Sequence, residues 1–146
     1  MIIREILASK KSGEIFSVTI NCPIQRAIEM MTEHNIGSLV VKENDKMIGL
    51  ITDRCIVRGL TKTGCNYCAT SVREVMMSNP IVGHLNDTVD DVRRTMTDNH
   101  LSHLPVEDDN GLVGIISFFD IARSAVSEAD FQNRLLKSYI KNWPEA

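Results

Sequence analysis

Two short segments of the chain carry a hydroxyl side chain and a second reactive side chain three residues apart. In GIISFFDIAR (residues 114–123) these are Ser117 and Asp120, and in GLITDRCIVR (residues 49–58) they are Thr52 and Cys55. A serine followed three residues later by an acid is typical of a helix N-terminus, where both side chains accept hydrogen bonds from backbone amides. One interpretation of Ser117 and Asp120 is therefore a helix cap, a role in which Cys55 is a weak acceptor.

The same arrangement is suited to a nucleotide. The first amides of a helix and a serine hydroxyl donate hydrogen bonds to a phosphate. A carboxylate one turn further on accepts the two hydrogen bonds that a ribose diol donates. Capping boxes are common, so the motif alone leaves both interpretations open.

The two segments belong to a longer internal repeat, in which residues 15–58 align with residues 80–123 at an offset of 65 without a gap. Nine aligned positions are identical: Asn21/Asn86, Met31/Met96, Thr32/Thr97, Leu39/Leu104, Val41/Val106, Gly49/Gly114, Ile51/Ile116, Ile56/Ile121 and Arg58/Arg123. A repeat of this length indicates a duplicated structural unit. The chain therefore carries two versions of one candidate site.

Both copies predict the same order of elements. A short β-type run opens each copy, an amphipathic helix follows, then two strands joined by a polar turn, and a second helix closes the unit. About 60 residues bury too little apolar surface to be comfortably stable alone. The pattern therefore predicts an α+β fold of two pseudo-symmetric β-α-β-β-α repeats that pack sheet to sheet around one shared core.

The segments outside the repeat set the predicted boundaries. REILA (residues 4–8) is expected to form a short helix entering copy one, and SVREVM (residues 71–76) one entering copy two. We thus expect repeat 1 with its lead-in over 1–69, repeat 2 over 70–127 and a C-terminal amphipathic helix over 128–146.

The C-terminal segment carries a wide apolar stripe. The stripe consists of Phe131, Leu135, Leu136, Tyr139, Ile140 and Trp143. Such a stripe either folds back on its own domain or meets a partner. We favour a homodimer contact over packing within the chain.

Composition excludes several classes of function. The chain has 146 residues and a net charge of −3, and no dense block of Lys and Arg indicates nucleic-acid binding. No apolar run approaches the roughly 20 residues of a membrane helix, and the N-terminus does not resemble a signal peptide. A cytoplasmic location is expected.

The four cysteines do not form a complete metal site in the sequence. Cys65 and Cys68 make one C-x-x-C, which supplies two of the roughly four ligands of zinc, and Cys22 and Cys55 do not repeat the pair. We expect thiols in a loop, with a metal bridging two chains or a redox switch as the alternatives. No hydrolase, metalloprotease or P-loop motif is present, so neither a catalytic residue nor an enzyme is predicted.

The repeated sequences NIGSLVVKENDKMIGLITDRCIVRG and NHLSHLPVEDDNGLVGIISFFDIAR resemble a tandem pair of CBS (cystathionine-β-synthase-type) domains. The resemblance covers roughly residues 1–127, and the [ST]-x-x-D ending and the HLPV strand are its most specific elements. Such pairs commonly form dimeric sensors that bind AMP, ADP or ATP, with NAD or S-adenosylmethionine as further possibilities. The resemblance therefore implies a regulatory protein with an adenine nucleotide and a separate regulated protein as partners.

In that family each cleft is shared between the repeats. Carried over, the resemblance implies that backbone groups of the first strand read the purine while Asp120 holds the ribose. One site would use Ser117, Asp120, Ile15, Phe16, Gly37 and Ser38. A second site would use Thr52, Ile81, Val82, Ser102 and His103, with His103 near the phosphate.

The second site departs from the family pattern. Cys55 stands where the family has its ribose aspartate, and a neutral thiol cannot make charge-assisted hydrogen bonds to a diol. We expect this site to be weak, empty or specialised for another ligand. The alternative function is a structural or protein-interaction module without a physiological nucleotide.

Overall fold

The structure is a computed structural model that describes residues 1–10 and 13–141, apart from the side chain of Cys65. Its elements in chain order are α1 (Ile3–Ser9), β1 (Ser17–Thr19), α2 (Ile24–His34), β2 (Ser38–Glu43), β3 (Lys46–Thr52), α3 (Asp53–Thr63), β4 (Met77–Ser78), β5 (Gly83–His84), α4 (Val89–Asp98), β6 (His103–Asp108), β7 (Gly111–Ser117) and α5 (Phe118–Lys141). Two 3₁₀ segments, Gly64–Ala69 and Val72–Glu74, lie between α3 and β4. The predicted α+β fold of two β-α-β-β-α repeats with a C-terminal helix is confirmed, but the closing helix of repeat 2 and the expected C-terminal helix are one continuous helix, α5.

Each repeat builds its own sheet. The first has the order β1-β2-β3-β4 and the second the order β5-β6-β7. In both, the opening strand pairs parallel with the next strand, and the two following strands form an antiparallel hairpin. The two hairpins match residue for residue at the offset of 65, including a register shift after Val41 and after Val106.

The buried side chains form two clusters, one for each sheet, rather than the single shared core expected from sequence. The first cluster includes Leu39, Val41 and Ile51, and the second includes Leu104, Val106 and Ile116. Successive residues of a strand point to opposite faces. Val40 and Leu50, on the other face of the first sheet, are also fully buried, as packing against a second layer requires.

The two lead-in segments are exchanged relative to the sequence prediction. Helix α1, expected to enter repeat 1, buries Ile3 and Ile6 in the cluster of repeat 2. Val72, expected to enter repeat 2, is buried in the cluster of repeat 1. Backbone hydrogen bonds fix both positions, since the Ile3 amide donates to the Asp87 carbonyl and the Val72 amide donates to the Cys22 carbonyl. The sequence prediction was wrong because local order along the chain does not reveal which core a short segment completes.

Helix α5 extends far beyond the core that anchors it. Only Asp120 and Ile121 of its 24 residues are buried. The predicted apolar stripe is described up to Ile140, and its side chains are 55–71% exposed. Trp143 lies outside the described residues. The stripe therefore does not fold back on its own domain within the described part of the chain.

None of the described helices has both the length and the apolar character that crossing a bilayer requires.

Candidate ligand-binding cleft between the repeats

A cleft of about 230 Å³ lies between the two repeats. Its walls come from the N-terminal lead-in, from the start of repeat 1 and from the hairpin and last helix of repeat 2. All six residues predicted for the first site line it. The complete lining is Lys10, Glu14, Ile15, Phe16, Asn35, Ile36, Gly37, Ser38, His103, Ile115, Ser117 and Asp120.

Ser117 and Asp120 form a reciprocal cap at the start of α5. The Ser117 amide donates to Asp120 Oδ2 at 2.9 Å, and the Asp120 amide donates to Ser117 Oγ at 3.1 Å. Strand β7 ends at Ser117 and α5 begins at the next residue, so the cap holds the carboxylate at the cleft. Asp120 is only 8% exposed, which makes it one of two buried polar residues among those described. The helix-cap interpretation is therefore correct, and it leaves a nucleotide role open.

Two cations flank the Asp120 carboxylate. Lys10 Nζ donates to Asp120 Oδ2 at 3.1 Å and to the Ile115 carbonyl at 2.8 Å. Arg123 Nη1 lies 3.8 Å from Asp120 Oδ1, and the guanidinium also lies 4.9 Å from the centre of the Phe119 ring. The second carboxylate oxygen thus has only a longer ion pair, and it is the more available one for a ligand.

The environment of Asp120 keeps it ionised. Burial raises its pKa, but the hydrogen bonds from Ser117 and Lys10 and the charge of Lys10 outweigh burial and hold the pKa below its usual value. A carboxylate that stays charged while mostly buried is a strong acceptor for hydroxyl groups. Asp120 therefore has the charge state that binding a diol requires.

Phe16 is fixed at the cleft by both its backbone and its ring. Its carbonyl accepts a hydrogen bond from the Val40 amide at 3.0 Å, which aligns the chain before β1 with β2. Its ring stacks on His34 with the ring centres 4.0 Å apart and an angle of 21° between the planes. The opening strand of repeat 1 is therefore well ordered where it borders the cleft.

Gly37 is a glycine because His103 comes close to it. A Cβ at this position would lie 3.1 Å from His103 Cε1 and 3.3 Å from an Asp53 carboxylate oxygen. The His103 ring, which was expected in the second site, thus lines the first cleft. The reason is that His103 begins β6 opposite Ser117, so that its ring lies beside the Ser117 end of β7.

Burial lowers the pKa of His103, even though the carboxylates of Asp53 and Asp120 act in the opposite direction and the charge of Lys10 adds to the lowering. His103 Nδ1 shares a hydrogen bond with Ser102 Oγ at 2.9 Å. At neutral pH this imidazole is therefore uncharged, and it offers a ligand a hydrogen bond rather than a positive charge.

The other residues of the expected second site lie outside the cleft of Asp120. Thr52 is 2% exposed and hydrogen bonds with Cys55, whose amide donates to Thr52 Oγ1 at 3.2 Å. Ile81 is 42% exposed on the surface. Between the repeats on this side, Arg54 Nη1 donates to the His100 carbonyl at 2.9 Å. Thr52 thus has the capping role of Ser117, without a carboxylate to return the hydrogen bond.

Several cleft residues were not found from the sequence. Lys10 is the most important of them, since it bonds directly to Asp120. Asn35, Ile36 and Glu14 are sequence neighbours of predicted residues, so a wider window would have included them. Lys10 gave no such signal, because its position depends on α1 packing against repeat 2.

No cluster of three or more His, Cys, Asp or Glu side chains that could hold a metal ion occurs among the described residues. Cys22, Cys55 and Cys68 are free thiols, and Cys68 is exposed at the end of a 3₁₀ segment.

Comparison with known proteins agrees with this geometry. The family model described as "CBS domain" matches residues 3–62 and again 72–127. The Bacillus subtilis protein "CBS domain-containing protein YhcV" is 33% identical over 114 residues, which cover 78% of this chain and 81% of that protein.

Solved structures share the fold. A putative signal-transduction protein with CBS domains from Burkholderia ambifaria matches with a TM-score of 0.83 and 30% identity, over 87% of this chain and 95% of that one. The CBS domain pair of protein MJ0100, solved in complex with 5-methylthioadenosine and S-adenosyl-L-methionine, matches with a TM-score of 0.73 and 29% identity, over 84% of this chain and 98% of that one.

Proposed function

Because this chain belongs to the CBS-domain family, we propose that it is a regulatory module that binds an adenine nucleotide in the cleft beside Asp120. The observation that carries the proposal is the position of this carboxylate. It is ionised, mostly buried and held by a helix cap, and it lies in a cleft to which both repeats contribute. A buried anion that faces a cavity is suited to accept hydrogen bonds from a sugar diol.

The proposed pose follows from the cleft walls. The ribose hydroxyls donate to Asp120, and the backbone near Ile15 and Phe16 contacts the purine edge. Gly37 allows the His103 ring to approach at the cleft wall, and Ser38 and Ser117 contribute hydroxyl groups. AMP, ADP and ATP are the proposed ligands, with NAD and S-adenosylmethionine as further candidates. The complex of the MJ0100 domain pair with adenosine derivatives supports this class.

We expect the second predicted site, which contains Thr52, to bind a nucleotide more weakly than the cleft beside Asp120. This second site has the neutral thiol of Cys55 where the first site has the Asp120 carboxylate, so a ribose diol there lacks a charged acceptor. One nucleotide per chain is therefore the expected stoichiometry.

The exposed tail of α5 supports a homodimer. Leu135 lies 14 residues after Ile121, on the same face of the helix that α5 packs on its own core. Beyond that core the face is left to solvent, with Phe131 62% and Leu135 55% exposed. A two-fold axis near Leu135 would bring each apolar stripe onto its copy.

Charge disfavours a parallel pairing of the two tails. Glu128 lies on the apolar face, about 10 Å along the helix before Leu135. A parallel pair in register would bring the two Glu128 carboxylates together, which is unfavourable. An antiparallel pair with its two-fold axis near Leu135 would keep them about 20 Å apart.

A nucleotide in a cleft shared by both repeats would bias their relative arrangement if it bound one arrangement better. Helix α5 starts at the Asp120 cap and continues into the tail, so a shift at the cleft would reach the dimer contact.

A structural module without a nucleotide is the second candidate, favoured by the missing carboxylate at Cys55 and by the large exposed stripe. Isothermal titration of the full chain with AMP, ADP, ATP, NAD and S-adenosylmethionine distinguishes the two. Saturable binding at one site per chain supports the sensor. No heat and no thermal stabilisation with any of the five ligands would contradict the sensor and favour the scaffold.

A further inference from the structure

Lys10 is paired with one oxygen of the carboxylate that the ligand needs. Its ammonium group lies 3.1 Å from Asp120 Oδ2, and its side chain is 28% exposed, so it is held at the cleft wall rather than free in solvent. The Ile115 carbonyl accepts a second hydrogen bond from it at 2.8 Å. The cation therefore neutralises the carboxylate proposed to hold the ribose and leaves its Oδ1 oxygen more available than its Oδ2 oxygen.

Lys10 carries the single positive charge among the described residues that line the cleft, and this bears on which ligands can bind. The charged lining residues are Lys10, Glu14 and Asp120, which sum to −1, and His103 is uncharged at neutral pH. Arg123 is 62% exposed and lies on the side of Asp120 that faces a second cavity of about 250 Å³. Lys10 is thus the one cation among the described cleft-lining residues that a ligand phosphate could contact.

We propose that Lys10 is an exchangeable counter-ion that selects phosphorylated adenine nucleotides. When the ribose diol takes Asp120, the ammonium gives up part of its contact with the carboxylate and turns to the ligand phosphate, while the Ile115 carbonyl keeps it at the cleft. A ligand with a ribose but no phosphate also draws Asp120 away from Lys10, but it offers the ammonium group no anion in return. A cationic ligand of the S-adenosylmethionine type adds repulsion. This inference rests on the proposed function and extends it from adenine nucleotides in general to the phosphorylated ones.

Helix α1 holds the backbone from which the Lys10 side chain extends. Lys10 directly follows α1, whose Ile3 and Ile6 are buried in the core of repeat 2. The Leu7 side chain lies where a Cβ on Gly114 would come within 2.7 Å of it, so α1 is packed tightly on β7. The backbone that carries Lys10 is therefore held in place, and the exchange is a movement of its side chain.

The test compares AMP with adenosine, which differ only in the phosphate. In wild type we expect AMP to bind more tightly than adenosine. Lys10→Met retains the aliphatic stem and removes the charge. It should weaken AMP by roughly tenfold to hundredfold, the usual range for hydrogen bonds to charged groups. It should leave adenosine unchanged or tighter, because Asp120 no longer has a competing partner.

Lys46→Met is the matched control, since Lys46 is exposed at the start of β3 and its loss changes the net charge equally. It should leave the ratio of AMP to adenosine affinity at the wild-type value. Lys10→Gln is the second variant if Lys10→Met does not fold, because its amide can still donate to the Ile115 carbonyl.

The outcomes separate the two proposals. If wild type binds AMP and the affinity ratio is unchanged in Lys10→Met and Lys10→Gln, the role of Lys10 is wrong while the proposed function stands. If wild type binds neither adenosine nor any of AMP, ADP, ATP, NAD and S-adenosylmethionine, both are wrong. If adenosine and AMP weaken equally in the variants, Lys10 only supports the cleft structurally, and the selection is overturned.

Discussion

Ser117 and Asp120 exchange two hydrogen bonds across the β7–α5 junction, one from each backbone amide to the other residue's side chain. The same carboxylate therefore caps a helix and faces the cleft. Stability and ligand affinity are coupled at this residue, and a single substitution should alter both by different amounts.

Asp120→Ala should lower the free energy of unfolding by about 1 kcal/mol, the usual cost of losing a helix cap. It should also abolish most nucleotide affinity, because the diol loses a charged acceptor. Calorimetric titration and chemical denaturation measure the two effects. Asp130→Ala, which removes an exposed acid from the same helix, should change neither. Unchanged affinity in Asp120→Ala would overturn the assignment of the cleft.

Cys55→Asp should supply the carboxylate that repeat 1 lacks. The Cys55 amide already donates to Thr52 Oγ1, so an aspartate there can complete a reciprocal cap like that of repeat 2. We expect the number of nucleotides bound per chain to rise from one towards two, as measured by titration. Cys55→Ser is the control without a charge. A stoichiometry of two in wild type would contradict the weaker role of this side.

His103 should make stability depend on pH. Its pKa is lowered in the folded chain from 6.5 by burial, so the unfolded chain binds the proton more readily. Stability should therefore be full above about pH 6.5 and fall as the pH decreases below that value. His103→Gln should lose less stability than wild type between about pH 7 and pH 5, as measured by urea denaturation. Identical profiles for the two proteins would show that another group is responsible.

Helix α1 packs in the core of repeat 2, and Val72 packs in the core of repeat 1. A substitution in either segment should therefore destabilise the repeat in which that segment is buried. Ile3 and Val72 are both fully buried. Truncation of either to alanine should lower the free energy of unfolding by about 3 kcal/mol. Ile3→Ala should reduce hydrogen-exchange protection in β6 and β7, and Val72→Ala should reduce it in β2 and β3. The reverse pattern would contradict the exchange.

Leu135→Asp should convert a dimer into a monomer, because it adds a charge to the centre of the proposed tail contact. Sedimentation velocity of the full chain gives the mass. Lys137→Asp, about 160° around the same helix from Leu135, should remain dimeric. A monomeric wild type would contradict the homodimer. A dimer that persists in Leu135→Asp but dissociates in Val57→Asp would place the contact on α3 instead.

The sequence was most informative where a pattern repeats. Strands β2, β3, β6 and β7 follow the predicted runs closely, because each is a short apolar run bounded by polar residues and recurs at the offset of 65. The six residues of the first site came from the family resemblance and lie in one cleft. Strands β1 and β5 are shorter than predicted, at three and two residues, because few of their positions pair with a neighbour.

Long-range features could not be predicted in the same way. The contact between Lys10 and Asp120 joins residues 110 positions apart, and it depends on which core α1 completes. Likewise, the sequence predicted one shared core, whereas the structure has two. The reason is that helices and a lead-in segment pack on each sheet and form a separate core with it. Neither choice has a local signal in the amino-acid pattern.

Helix α1 completes the core of repeat 2, but a long time passes between the synthesis of α1 and the synthesis of that repeat. The ribosome makes Ile3 before repeat 1 and reaches Ile121 only after more than a hundred further residues. At typical rates of about 5–20 residues per second, α1 must wait roughly 6–24 s for the surface that buries it. Repeat 1, whose closing segment follows it directly, can fold in the meantime. On the ribosome, repeat 1 is therefore expected to fold before repeat 2, and α1, although made earlier than both, is expected to pack among the last elements.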